Sequence, residues 1–172
     1  MTDAARRQLW WKYALITVPA IVLAGSASGW LSGSGYGNDW FDGLTKPPFM
    51  PPGWAFGAAW TTLYTLMGLA LAMILAEPES DRKRKALLLF FVQLVLNYSW
   101  SPIFFAGHHI QLALIVIFVM LAIAAAATAQ FLKLRPLAGL LMVPYLAWLC
   151  FAAALTTAIQ ELNPNAGTPL FG

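Results

Sequence analysis

Charge is scarce in this sequence. Only 10% of its 172 residues are Asp, Glu, Lys or Arg, while 60% are hydrophobic. Soluble domains carry about 25% charged residues, so there is too little charge here to cover a water-exposed surface, and most of the surface must face an apolar medium. Cysteine is almost absent. Cys150 stands alone in an apolar run, which excludes an intrachain disulfide. The only histidines, His108 and His109, are neighbours in a tight turn with no carboxylate beside them. Adjacent residues do not share a helix face, so they read as solvated loop residues, the alternative being an axial contact to an iron porphyrin. No metal-ligand spacing, phosphate loop, dinucleotide fingerprint or Ser-His-Asp order is present, and no metal or covalently bound cofactor is expected. Acidic residues avoid the apolar runs except for Glu161, near the end of the last one, which argues against a proton-driven pump. The net charge is only +3, with the bases in short clusters between apolar runs. That pattern speaks for membrane orientation and against nucleic-acid binding. No fixed-period or inverted repeat is visible.

What the sequence has is length in apolar runs. They cover roughly 9–31, 54–75, 86–105, 110–132 and 137–162. About 20 helical residues cross the hydrocarbon core, and these runs are too continuous for barrel strands. The expected fold is an all-α membrane protein: one domain over 1–172, a bundle of five transmembrane helices with a long Gly/Pro-rich first loop. That loop, Ser32 to Gly53, holds Gly33, Gly35, Gly37, Pro47, Pro48, Pro51 and Pro52 and cannot be one regular helix. Glu77 to Lys85 reads as a short charged loop, Gly107–His109 and Lys133–Pro136 as tight turns, and Asn163 to Gly172 as a polar tail. With five spans, Arg6, Arg7, Lys12, Arg82, Lys83, Arg84, Lys85, Lys133 and Arg135 share one side, and only Lys46 lies on the other. The positive-inside rule then makes the N-terminus cytoplasmic and puts the C-terminus on the opposite side. Arg6 and Arg7 ahead of an apolar run and the small residues Ala24 to Gly29 also resemble a secretory signal. The run continues through Leu31, however, and Gly25, Gly29 and Gly33 form a stripe suited to close helix contact, as does the alanine-rich stretch Ala122 to Ala129.

Tryptophan is abundant, with eight residues. Interface belts account for Trp10, Trp11, Trp30 and Trp40, but Trp60, Trp100 and Trp148 sit further inside the runs. Trp60 and Tyr64 share a helix face; so do Asn97, Trp100, Ser101 and Phe104, and so do Trp148, Ala152 and Thr156. Such stripes serve packing or a ligand. Asn97 favours a cavity or a cross-helix partner, because lipid offers an amide nothing. Pro19, Pro102 and Pro144 loosen the helices around these faces. By depth, Trp60, Asn97, Trp100 and Trp148 can converge in the half of the bundle beneath the Gly/Pro loop.

Three segments resemble one family. Lys46-Pro47-Pro48-Phe49-Met50-Pro51-Pro52-Gly53-Trp54-Ala55-Phe56-Gly57, followed by Trp60 and Leu63-Tyr64, is similar to the first loop and second helix of the TspO family, the tryptophan-rich sensory proteins related to the mitochondrial translocator protein. Asn97-Tyr98-Ser99-Trp100-Ser101-Pro102-Ile103-Phe104-Phe105 resembles the Asn-x-x-Trp-x-Pro-x-Phe-Phe signature of that family. Val143-Pro144-Tyr145-Leu146-Ala147-Trp148 resembles its Pro-Tyr-x-x-Trp motif. The resemblance implies a five-helix bundle, often a homodimer, with a pocket under the first loop that takes porphyrins such as protoporphyrin IX. In some members it also takes cholesterol and benzodiazepine-type drugs. The pocket positions match Trp60, Tyr64, Asn97, Trp100, Trp148 and Ala152. The family's Leu-Asn pair is Leu155-Thr156 here, and Thr157 and Glu161 replace the residues of the animal sterol motif. Weak or absent sterol binding is therefore expected.

A porphyrin is a flat π-system on which Trp faces can stack. Phe104 extends the aromatic face of the third span, and Trp40, Lys46, Pro47 and Pro51 belong to the loop that would act as a lid, with Lys46 placed to pair with a propionate. The leading reading is a membrane-embedded porphyrin-binding sensor or carrier. The alternatives are a light- and oxygen-dependent porphyrin-degrading enzyme, with Trp60 and Trp148 as redox participants, and a small transporter or structural membrane subunit.

Overall fold

The structure is a computed structural model and describes residue 5 and residues 8–168. Arg6 and Arg7, with the signal-like reading attached to them, and the end of the tail up to Gly172 lie outside the described residues. Every regular element described is helical: α1 (Trp10–Leu31), α2 (Asp39–Asp42), α3 (Gly53–Leu75), α4 (Asp81–Ser101), a π-helical turn (Pro102–Ala106), α5 (Ile110–Leu134) and α6 (Pro136–Leu162). Five helices, with α4 counted through its π turn, are long and apolar enough to cross a membrane. α1 packs on α3, α3 on α6, α6 on α5, α5 on α4, and α4 returns to α1, so the five close into a ring.

Local chemistry sets the helix ends and corrects three boundaries. The basic run Arg82 to Lys85 is not a loop; it forms the first turn of α4. Ser80 caps that helix by accepting from the Lys83 amide at 3.1 Å, and Asp81 in the first turn suits the positive end of the helix dipole. The Lys83 side chain turns inward and is 4% exposed. Its ammonium donates to the Leu75 and Glu77 carbonyls at 2.9 and 2.8 Å and to Glu79 at 2.7 Å, satisfying the C-terminal end of α3. The α5–α6 turn is shorter than expected. Only Arg135 separates the two helices, because Pro136 occupies the first turn of α6, where its missing N–H costs nothing. The long first loop contains one helical turn, α2, capped by Asn38.

The two halves of the ring differ. Away from the first loop, α3 buries Leu63, Met67, Leu71 and Ile74 in one core with Phe90, Ile117, Met120, Met142 and Tyr145. Gly68 is required here, because a Cβ on it would lie 2.7 Å from Val18 Cα, and Thr17 of α1 donates to the Gly68 carbonyl at 2.8 Å. Near the loop, residues 53–62 of α3 have no buried member. At that end α4 leaves α-geometry: Pro102 has no N–H, and Gly107 bonds back to the Pro102 carbonyl at 2.8 Å to close the π turn. α6 runs unbroken through Pro144. Leu15, Ile16, Leu23, Leu88, Val95 and Phe118 face outward around the ring.

Candidate functional site

The open half of the ring encloses a cavity of about 470 Å³, within the range of roughly 300–1,000 Å³ usual for small-molecule sites. Gly25 and Gly29 line it from α1, Phe56, Trp60 and Tyr64 from α3, and Asn97, Trp100 and Phe104 from α4. Met120 contributes from α5, and Trp148, Ala152 and Thr156 from α6, while Tyr36, Phe41 and Met50 of the first loop cover it. Helical spacing explains the recruitment. Phe56, Trp60 and Tyr64 recur every four residues on α3, as do Trp148, Ala152 and Thr156 on α6.

The aromatic wall is built from two clusters of rings. The Trp60 ring lies on Tyr64 at 5.1 Å and 30° and meets Trp148 edge-on at 6.1 Å, and Trp148 meets Phe56 at 6.0 Å. Trp100 stacks on Phe104 at 5.0 Å and spends its indole N–H on the Ala113 carbonyl at 3.1 Å. Trp100 is thus fixed by its own neighbours, whereas no hydrogen bond joins the Trp60 or Trp148 indole to another described residue. Glycine makes room for this wall: a Cβ on Gly25 would run into the Tyr64 ring.

One polar group stands at the floor. The Tyr64 hydroxyl donates to Asn97 Oδ1 at 2.8 Å, and Asn97 Nδ2 donates to the Tyr145 oxygen at 3.1 Å. The Tyr145 hydroxyl donates to Gln93 Oε1 at 2.8 Å. Asn97 therefore has its partners inside the protein and also borders the cavity.

The loop is braced from within by Lys46 and tied down through Trp40 and Thr45. Lys46 Nζ donates to the carbonyls of Phe41, Asp42 and Leu44 at 2.8, 3.2 and 3.2 Å, and lies over the Phe41 ring at 4.8 Å. Trp40 donates to the Ala166 carbonyl at 2.9 Å and stacks on His108 at 4.3 Å. Asn163 holds Thr45 in both directions, accepting from its N–H and donating to its carbonyl, each at 2.8 Å. Opposite these straps, Gly33, Gly35 and Gly37 all have positive φ, which lets the chain reverse after α1.

Trp60, Tyr64, Asn97, Trp100, Phe104, Trp148 and Ala152 thus meet around one cavity. Trp40, Lys46, Pro47 and Pro51 do not line it. They shape the loop: the Pro51 carbonyl accepts from the Tyr36 hydroxyl at 3.3 Å, and the Pro47 carbonyl from the Met50 amide at 3.0 Å. Lys46 is turned toward backbone carbonyls and away from the cavity, and His108 is a stacked ring under Trp40 and not a freely solvated one. Gly25, Tyr36, Phe41, Met50 and Phe56 were not anticipated. Phe56, one turn before Trp60, carried a spacing signal; the loop residues carried none. Among the described residues no group of three His, Cys, Asp or Glu side chains could hold a metal ion.

A model of the TspO/MBR family matches residues 16–162. The chain belongs to the TspO/MBR family. It is 41% identical over 128 residues to the "Tryptophan-rich sensory protein" of Cereibacter sphaeroides, covering 74% of this chain and 79% of that one. It is 38% identical over 153 residues to the "Translocator protein" of Sus scrofa, covering 85% and 90%. It is 43% identical over 125 residues to the "Tryptophan-rich protein TspO" of Archaeoglobus fulgidus, covering 72% and 80%. Five membrane-length apolar helices and TspO/MBR membership together make this a multi-pass integral membrane protein. Thr156 borders the cavity and is 3% exposed.

Proposed function

We propose that the cavity binds a porphyrin of the protoporphyrin IX type and that the protein acts as a sensor or carrier for it. The observation that carries this reading is the wall itself: Trp60 and Trp148, edge to face, with indole N–H groups not bonded to any other described residue, beside a hydroxyl–amide pair, under a roofing loop. A flat apolar ring with a few polar atoms matches a mostly apolar site with few polar groups. The relatives' names, sensory protein and translocator protein, accord with a membrane protein that answers to a ligand. Weak sterol affinity belongs to the same proposal, and so does a homodimer. Gly25 is occupied by Tyr64 inside the protein, whereas α5 turns Ala122, Ala125, Ala126 and Ala129 outward as a small-residue face.

Titration of the purified protein with protoporphyrin IX, followed by tryptophan quenching, tests the reading. Trp60→Ala or Trp148→Ala should weaken binding by about 1–3 kcal/mol, the order expected for one lost stacking surface. Trp10→Ala and Trp11→Ala, at the far end of α1, should leave it nearly unchanged. Equal losses at all four positions would assign the effect to folding or lipid anchoring. The Trp60–Trp148 contact also favours a second reading, light-dependent porphyrin degradation. A new product spectrum under light and oxygen, above a free-porphyrin control and lost in Trp60→Phe, would support it.

A further inference from the structure

We propose that Tyr64, Asn97, Tyr145 and Gln93 form a hydrogen-bond chain of reversible direction, so that the Tyr64 hydroxyl presents either an acceptor or a donor to a ligand, with Gln93 as the positioning residue at the far end. This rests on the reading of the cavity as a ligand site. Only Tyr64 and Asn97 border the cavity; Tyr145 and Gln93 are sealed behind them with no exposed surface. In the direction observed, each donor points away from the cavity: Tyr64 to Asn97, Asn97 to Tyr145, Tyr145 to Gln93. The Tyr64 hydrogen is therefore in use, and what its hydroxyl can offer a ligand in the cavity is an oxygen lone pair. At the far end Gln93 Nε2 has no hydrogen-bond partner among the described residues.

Turning over both amides and rotating both hydroxyls reverses the chain. Gln93 Nε2 then donates to the Tyr145 oxygen, the Tyr145 hydroxyl to Asn97 Oδ1, and Asn97 Nδ2 to the Tyr64 oxygen. Three hydrogen bonds exist before and after. No proton leaves its oxygen or nitrogen, and no charge forms. The unpaired group at Gln93 changes from a whole amide NH₂ to a carbonyl and one N–H; an under-satisfied carbonyl is the commoner of the two orphans in proteins. The distances allow the change. Asn97 has contacts of 2.8 and 3.1 Å, ordinary for O–H···O and N–H···O, and reversal exchanges their lengths. Since the internal bonds number the same either way, the ligand's own group decides. A ring N–H keeps the observed direction, and a bare ring nitrogen or carbonyl turns it. Tyr64 then serves flat heterocycles of either kind, and a free-base porphyrin carries both kinds of nitrogen.

Two probes of nearly equal size separate the directions: indole, which brings a ring N–H, and benzoxazole, which brings only acceptors. Gln93→Leu removes the far-end acceptor, so the Tyr145 hydroxyl must turn to Asn97, and the chain settles in the donor-presenting direction. Calorimetric titration of the full chain in detergent should then show benzoxazole binding tighter and indole weaker than in wild type, each by roughly two- to ten-fold, the worth of one neutral hydrogen bond. On a Tyr145→Phe background, which cuts the chain, Gln93→Leu should no longer move the probes in opposite senses. Shifts of the same sign in Gln93→Leu, as a merely loosened core would give, overturn the proposal while leaving the cavity reading intact. Failure of wild type to bind either probe overturns the cavity reading and the proposal with it. Should Gln93→Leu not fold, the Asn97 side-chain amide resonances of wild type serve instead. They should differ between the two complexes, and identical shifts would overturn the reversal.

Discussion

At the scale of single residues, the site depends as much on what is missing as on what is present. Gly25 leaves the space that the Tyr64 ring fills, and Tyr64 in turn holds Asn97. Gly25→Ala is therefore expected to displace that ring and destabilise the protein by about 1–3 kcal/mol, the usual range for an overpacked contact. Gly57→Ala, inside α3 where an added Cβ meets nothing within 4 Å, should instead be neutral or stabilise by up to about 1 kcal/mol. Thermal denaturation of the two variants in one detergent checks the contrast, and equal melting shifts would contradict it. Helical spacing put Trp60 with Tyr64, Asn97 with Trp100 and Trp148 with Ala152 on shared faces of α3, α4 and α6, but a shared face serves packing as well as a ligand, and it was the resemblance to the TspO family that marked these faces as a pocket. The continuation of the polar chain through Tyr145 to Gln93 was not worked out from the sequence. Gln93 lies one turn before Asn97 on the same face, but its link runs through Tyr145, 52 residues away in sequence.

At the scale of elements, the five spans were legible because bilayer thickness and apolarity set them. Their ends were less so, because a single cap outweighs composition: Ser80 starts α4 inside a run that composition marks as loop, and Asn38 builds a helical turn among glycines. The loop's attachment was hidden for another reason. Thr45 and Asn163, which hold each other, are 118 residues apart, and no local pattern announces such a pair. Lys46 shows the difference this makes. A lysine near a porphyrin site suggests a propionate partner, yet its ammonium already holds three loop carbonyls. Lys46→Met should thus loosen the lid and weaken protoporphyrin IX and its dimethyl ester by the same factor. A loss confined to the free acid would restore the propionate pairing.

At the scale of the whole molecule, the ring is closed and well packed at one end and hollow at the other, and the charges follow the same division. Lys12, Arg82 to Lys85, Lys133 and Arg135 gather at the packed end, while Lys46 stands at the hollow end. The positive-inside rule assigns the packed end to the cytoplasm and the lidded cavity to the opposite side. A reporter fused to the C-terminus should then be active only on the non-cytoplasmic side; activity in the cytoplasm would contradict this orientation. Membership of the TspO/MBR family and the five-helix architecture agree with what the sequence motifs indicated, but the ligand is a proposal that one measurement tests most directly. An experimental structure of the protein with protoporphyrin IX should show the macrocycle beneath the first loop, against the rings of Trp60 and Trp148 and within reach of the Tyr64 hydroxyl. An ordered porphyrin seated elsewhere on the bundle, with this cavity unchanged, would contradict the account.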